Sequence, residues 1–206
     1  LDNFGEVWRG GTAAAAGRSL ALAAVAATGC VVLGLLLVLG RRHTGRTWGV
    51  TVAATFAIPG SVLAVAFLSA YGPWWRDTVL IVLLAYLAKF WALAHRTLAG
   101  SAAAGDGDAV RAARVSGASG AVALRRILLP MLRPAILSAW LLVFLFGIHE
   151  LTMSSLLYGP GTETLAVVTL EVQQLGDPTV TAALAVLLTL PGVAAAILTA
   201  RRRSST

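Results

Sequence analysis

The chain has 206 residues, of which 58% are hydrophobic and 12% charged, with a mean hydropathy of +0.82 and a formal net charge of +7. A soluble domain carries roughly 25% charged residues, so this composition excludes one and points to an all-α membrane protein with spans of about 20 residues each. The single cysteine, Cys30, excludes an internal disulfide framework or a multi-cysteine metal site and reads as a small buried hydrophobe. The positive charge has to be judged by where it falls; it answers to a membrane surface and not to nucleic acid.

In chain order, Leu1 to Arg18 holds no cationic segment followed by an apolar core and a cleavage site, and the opening Leu reads as a fragment or an internal cut. Ser19 to Gly40 is uncharged and long enough to cross a hydrocarbon core of about 30 Å, which makes it the first span. The basic cluster Arg41 to Arg46 ends it. A second span, 47–70, follows with Pro59 and Gly60 near its middle, a pair that predicts a kink or a tight helix contact. The connector Tyr71 to Asp77, YGPWWRD, places aromatic rings at an interface. In the third span, 78–98, Lys89 either lines something polar or snorkels to the nearer surface, and snorkelling is the favoured reading. A small-residue loop, Gly100 to Asp108, then offers Asp108 as a helix cap. The fourth span is 134–157, and the acidic loop Tyr158 to Asp177 carries a short helix or strand in its middle. The fifth span, 178–200, ends in RRRSST.

Lys and Arg accumulate in cytoplasmic loops. With five spans, the Arg41–Arg46 cluster, the loop 100–133 and the tail 201–206 fall inside, while residues 1–18, YGPWWRD and the acidic loop fall outside. An odd number of spans with an external start implies that an earlier span has been lost.

Within the inside loop, Val110 to Pro134 carries Arg111, Arg114, Arg125, Arg126 and Arg133, each costing about 2.5 to 3.5 kcal/mol at the centre of a span. The stretch therefore lies at or outside the surface. Gly117 and Gly120 interrupt it, so it reads either as two short helices joined by a glycine bend or as an amphipathic helix resting on anionic lipid.

This stretch resembles the EAA loop of the membrane subunits of binding-protein-dependent ABC importers: Glu-Ala-Ala, three residues, Gly, nine residues, Ile, one residue, Leu-Pro. Ala112, Ala113, Gly117, Ile127, Leu129 and Pro130 stand at the matching places, and Arg111 stands where the family usually has Glu. The resemblance implies a permease-type helical bundle of about five spans with a cytoplasmic coupling helix. That helix docks into an ATP-binding cassette subunit through Arg111, Ala112, Ala113, Gly117, Ala118, Ser119, Ile127 and Pro130. Arg111 puts one expected contact in doubt.

AIPGSVLAVAF (57–67), AYLAKF (85–90) and HELTMSSLLYGPGTETLAVVTLEVQQLGD (149–177) are similar to the iron(III)-type permeases, a group near the thiamine, phosphonate and polyamine permeases. The implied protein sits in a bacterial inner membrane, receives solute from an external binding protein, pairs with a second permease half, and holds no cofactor. Ferric iron is the leading solute, with thiamine, phosphonate or polyamine as alternatives.

His149, Glu150 and Ser154 are candidate pathway residues. Ionisable groups at that depth face a cavity or a partner, and Phe146, Glu150 and Ser154 share a helical face by their spacing of four. The competing reading is a packing device or an unwound turn, favoured over direct metal ligation because ferric iron needs several oxygen ligands. There is no Gly-x-x-x-x-Gly-Lys-Ser/Thr loop, so ATP hydrolysis falls to another subunit. A secondary transporter, a channel or an inert membrane scaffold is the alternative from another class.

Overall fold

The computed structural model describes residues 11–40, 46–117 and 119–203. Residues 1–10, most of the Arg41–Arg46 cluster, Ala118 and the last tail residues, 204–206, lie outside the described residues.

Helix α1 is Thr12–Leu39. It begins before the apolar run at Ser19 because the alanines of TAAAAGR are strong helix formers. α2 (Arg46–Ala57) and α3 (Gly60–Trp75) occupy the stretch expected as the second span and are bent by 89° at Ile58–Pro59. The expected kink is thus a near right-angle break, since Pro59 has no N–H to continue the ladder. Among the described residues four helical segments are long and apolar enough to cross a membrane, and the bent pair makes a fifth span if it crosses as one.

α4 runs unbroken from Val79 to Val115. The loop expected at Gly100–Asp108 is helical, so Asp108 lies inside a helix and not at the start of one. Each helical glycine costs about 1 kcal/mol relative to alanine, and the alanines between them hold the segment helical. At 1.5 Å per residue α4 is about 55 Å long and projects well beyond the hydrocarbon layer.

A turn at Ser116–Ser119 reverses the chain, with Gly117 at φ 82°, a region where glycine alone carries no steric penalty. α5 (Gly120–Ala123) starts on Ser119 and passes through a π-helical turn, Leu124–Leu128, into α6 (Leu129–Ile148). The span thus begins near Gly120 and not at Pro134. The widened turn absorbs the ring of Pro130, which would otherwise clash with the carbonyl four residues back.

α6 stops at Ile148, nine residues before the expected end of the fourth span at Leu157. A non-helical turn leads to the short α7 (Ser154–Leu157). The middle of the acidic loop, open between helix and strand from sequence, is a helix, α8 (Leu165–Gln174), capped by Thr164. α9 (Pro178–Arg203) is capped by Asp177, whose Oδ1 accepts from the N–H groups of Thr179 and Val180, both at 3.1 Å.

α1 packs along both α4 and α6, and those two pack on each other. The seam is built from small residues that let backbones approach, as membrane helices require: Ala23, Ala26, Ala27 and Cys30 of α1 meet Ala85, Tyr86, Phe90 and Ala94 of α4 and Ala139 and Val143 of α6, all buried. Gly34 sits where α1 crosses α4, and an added Cβ would lie 3.2 Å from the His95 nitrogen and 3.3 Å from its Cα. On the same side of that crossing Trp48 fixes α2 by donating its Nε1 hydrogen to His95 Nε2 at 3.3 Å.

At the opposite end Arg18 clasps Glu163, with Nη2 to Oε2 at 3.2 Å and Nε donating to the Glu163 carbonyl at 3.0 Å. Ser19 Oγ accepts from the Leu165 N–H at 2.8 Å, so α8 is tied to the start of α1. The Gly161 N–H, followed by the Glu163 backbone N–H and Arg18, holds the Glu163 carboxyl below the usual glutamate range.

Gly34→Leu should destabilise the chain by about 1 to 3 kcal/mol, because the obstacle is backbone and cannot swing away. Denaturation of the detergent-solubilised protein measures this against Gly17→Ala, whose added Cβ meets nothing within 4 Å; equal stability of the two variants would contradict the crossing. A carboxyl lowered in the folded state contributes stability that is complete above its ordinary value of 4.5 and is lost as pH falls toward the depressed one. Glu163→Gln should therefore flatten the acid limb of a stability profile below about pH 4.5, and an unchanged limb would show that the clasp contributes nothing.

Candidate functional site

Two sets of residues are candidates, and the structure keeps them apart. The first is the turn between α4 and α5. Arg111, Ala112 and Ala113 lie in the last turns of α4. Ala112 is exposed and Ala113 half-buried. Gly117 makes the reversal and is exposed, and Ser119 caps α5 by accepting from the Val122 N–H at 3.4 Å. Ala118 lies outside the described residues. Ile127 falls in the π-helical turn and Pro130 in the first turn of α6, both half-buried. The apex presents small exposed side chains together with Val115, which is 89% exposed.

The second set lies at the two chain breaks. Because α6 ends at Ile148, Phe146, Glu150 and Ser154 do not share one helical face; Phe146 instead packs near Phe90, with ring centroids 6.2 Å apart. His149 terminates α6, is exposed, and bonds through Nδ1 to the Leu145 carbonyl at 2.8 Å. Glu150 makes the unwound turn itself. Its Oε1 accepts from the Met153 N–H at 3.0 Å, and its carbonyl accepts from Ser154 Oγ at 2.7 Å. These side-chain to backbone bonds replace the helical ladder.

The buried Tyr86 hydroxyl donates to the Glu150 carbonyl at 3.2 Å and shares a hydrogen bond with Ser154 Oγ at 2.6 Å in which either oxygen can be the donor. Tyr86 belongs to α4, and one turn further along stands Lys89. Sequence patterning favours the membrane surface for Lys89, but its Nζ faces inward. A Cβ on Gly60 would lie 3.0 Å from Lys89 Nζ, 3.3 Å from Met153 Cγ and 3.4 Å from Glu150 Oε1. The Pro59–Gly60 break, the Glu150 turn and Lys89 thus converge on one point. α3 starts there with no side-chain cap on its first turn, so its positive end adds to the field at the carboxylate.

Tyr86, Lys89 and Gly60 are not recognisable from sequence as members of this site. The available signal is a helix-breaking Pro-Gly in one apolar run and a lysine inside another. Nothing in one sequence says that they meet.

The described residues thus form a bundle of apolar helices with breaks at Pro59 and Glu150, a carboxylate at their junction and an exposed apex. The family of binding-protein-dependent transport system inner membrane components matches residues 30–202, and the chain belongs to it: it is a multi-pass inner-membrane permease domain of the ABC importer type. Among curated proteins it is similar to the putrescine transport system permease protein PotI from two strains of Escherichia coli. Each is 29% identical over 205 residues, covering 92% of this chain and 73% of the relative.

Tyr86→Phe removes the hydroxyl that bonds Ser154 Oγ and the Glu150 carbonyl inside the bundle and should cost about 1 to 3 kcal/mol. The unfolding midpoint in detergent checks this, with Ser154→Ala expected to lose a similar amount and the double variant little more. Fully additive losses would mean that the two hydroxyls do not act together.

Proposed function

We propose that the chain is the permease half of an ATP-driven importer for a small organic polycation of the polyamine class. It would provide the pathway by alternating access, while a separate ATP-binding cassette subunit docks at the Arg111–Ser119 apex. An external binding protein delivers solute, and a second permease half completes the pathway.

The observation that carries the cation reading is Glu150, a carboxylate fixed at the meeting point of two broken spans. A carboxylate there attracts ammonium groups and gives a neutral or anionic solute nothing. The similarity to putrescine permeases supports the same class. The ferric-iron reading is supported only by the sequence likeness at 57–67, 85–90 and 149–177, and ferric iron needs several oxygen ligands where Glu150 offers one carboxylate.

Inverted vesicles are the wrong geometry for this test, so uptake is followed in whole cells expressing the chain with its ATPase, partner half and binding protein. Labelled putrescine should accumulate, excess unlabelled spermidine should compete, and thiamine and ferric citrate should not. Accumulation that survives ATP depletion while the proton gradient is held would contradict an ATP-driven mechanism. Ala113→Cys should crosslink to the ATPase subunit, and Gly117→Leu should abolish uptake while leaving the chain in the membrane; labelling of that cysteine only from outside would refute the docking assignment.

A further inference from the structure

We propose that Lys89, which faces Glu150 across Gly60, is its exchangeable counter-ion through space, and that a cationic solute crossing the breaks takes over that role at the carboxylate. This rests on the polycation reading above and makes Lys89 a specificity-determining residue.

The two groups differ in how firmly they are held. Glu150 is fixed at both ends, its Oε1 by the Met153 N–H and its carbonyl by Ser154, itself anchored by Tyr86. Lys89 hangs on a flexible four-carbon stem. Among the described residues it makes no hydrogen bond and no ion pair within 4.0 Å, the ion pair among them being Arg18–Glu163. A stiff acceptor facing a mobile donor is the arrangement in which the donor can be replaced.

Gly60 makes the encounter possible. Lys89 Nζ and Glu150 Oε1 flank the point that any Cβ at that position would occupy; Gly60 opens α3 at one chain break and Glu150 makes the other. In the solute-free protein Lys89 compensates a carboxylate that would be costly alone at this depth. An entering ammonium supplies the same charge and frees Lys89. A solute without a positive charge cannot make this exchange, so selectivity comes from competition with a tethered cation as well as from attraction.

The displacement also has somewhere to act. α4 continues unbroken from Lys89 to Val115, about 39 Å at 1.5 Å per residue, and ends at the docking apex. The side chain that yields to solute therefore belongs to the same rigid helix that meets the ATPase.

The test uses the assembled importer in cells with labelled putrescine. Lys89→Gln removes the competitor and should lower KM for putrescine by about fivefold or more, within the ordinary range of coupling between sites. Lys89→Arg, with its bidentate grip on carboxylates, should raise KM. Glu150→Gln should raise KM, and adding Lys89→Gln to it should change nothing further, because the competitor matters only while the carboxylate is there. If Lys89→Gln raises KM in step with Glu150→Gln, or if the two effects add, Lys89 is a structural or pathway cation and the exchange is wrong. Should the Gln variant fail to assemble, Lys89→Arg decides alone: a KM unchanged or lowered by Arg overturns the exchange. Absence of putrescine uptake by the unmodified importer is a different failure, since it removes the polycation reading and the exchange together.

Discussion

Inside a bilayer no water completes the hydrogen bonds of an interrupted helix, so each break must be satisfied by protein. This chain contains two such breaks, at Pro59 and at Glu150, and the rest of the fold is arranged around bringing them together. The break after α6 satisfies itself through Glu150, Met153 and Ser154 and is steadied by Tyr86 from α4. The break before α3 sets Gly60 against the same carboxylate. Without the small-residue seam of α1, α4 and α6, Tyr86 could not reach the turn it supports.

The apolar segments and the breaker at Pro59–Gly60 are legible in the sequence because they rest on local properties: long uncharged runs and a missing donor. The boundaries that differ are decided elsewhere. Gly100 to Asp108 looks like a loop by composition, yet its alanines and its continuity with the apolar helix before it keep it helical. Pro134 looks like a helix start, yet the π-helical turn ahead of Pro130 lets the helix begin near Gly120. Glu150 and Ser154 stand out as unusual residues at membrane depth, but their spacing suggests a shared face because the unwinding arises from the side chains' own hydrogen bonds. The inward placement of Lys89 depends on Gly60 in a different span, and no periodicity carries that information.

The continuity of α4 changes how the proposed coupling segment should be understood. It is not a separate module hung on flexible loops. It is the tip of the helix that also carries Tyr86 and Lys89, reversed at Gly117 and returned to the membrane by α5 and α6. Arg111, which departs from the acidic residue usual in such loops, lies within that helix's last turns. Under the proposed docking and exchange, a push at the apex and a displacement of Lys89 act on the same rod. A packed helix transmits displacement with little loss because protein interiors are poorly compressible.

That rigidity is open to direct measurement. With spin labels at Arg96→Cys and Val115→Cys, both exposed in the structure, pulsed electron resonance reads the length of α4 across the segment that composition alone would leave as a loop. An unbroken helix predicts a narrow distribution near about 30 Å between backbone positions, the same with and without ATP. A broad distribution, or one that shortens by several ångströms on ATP binding, would mean that the helix yields at Gly100–Asp108 and that the site and the apex are not rigidly joined.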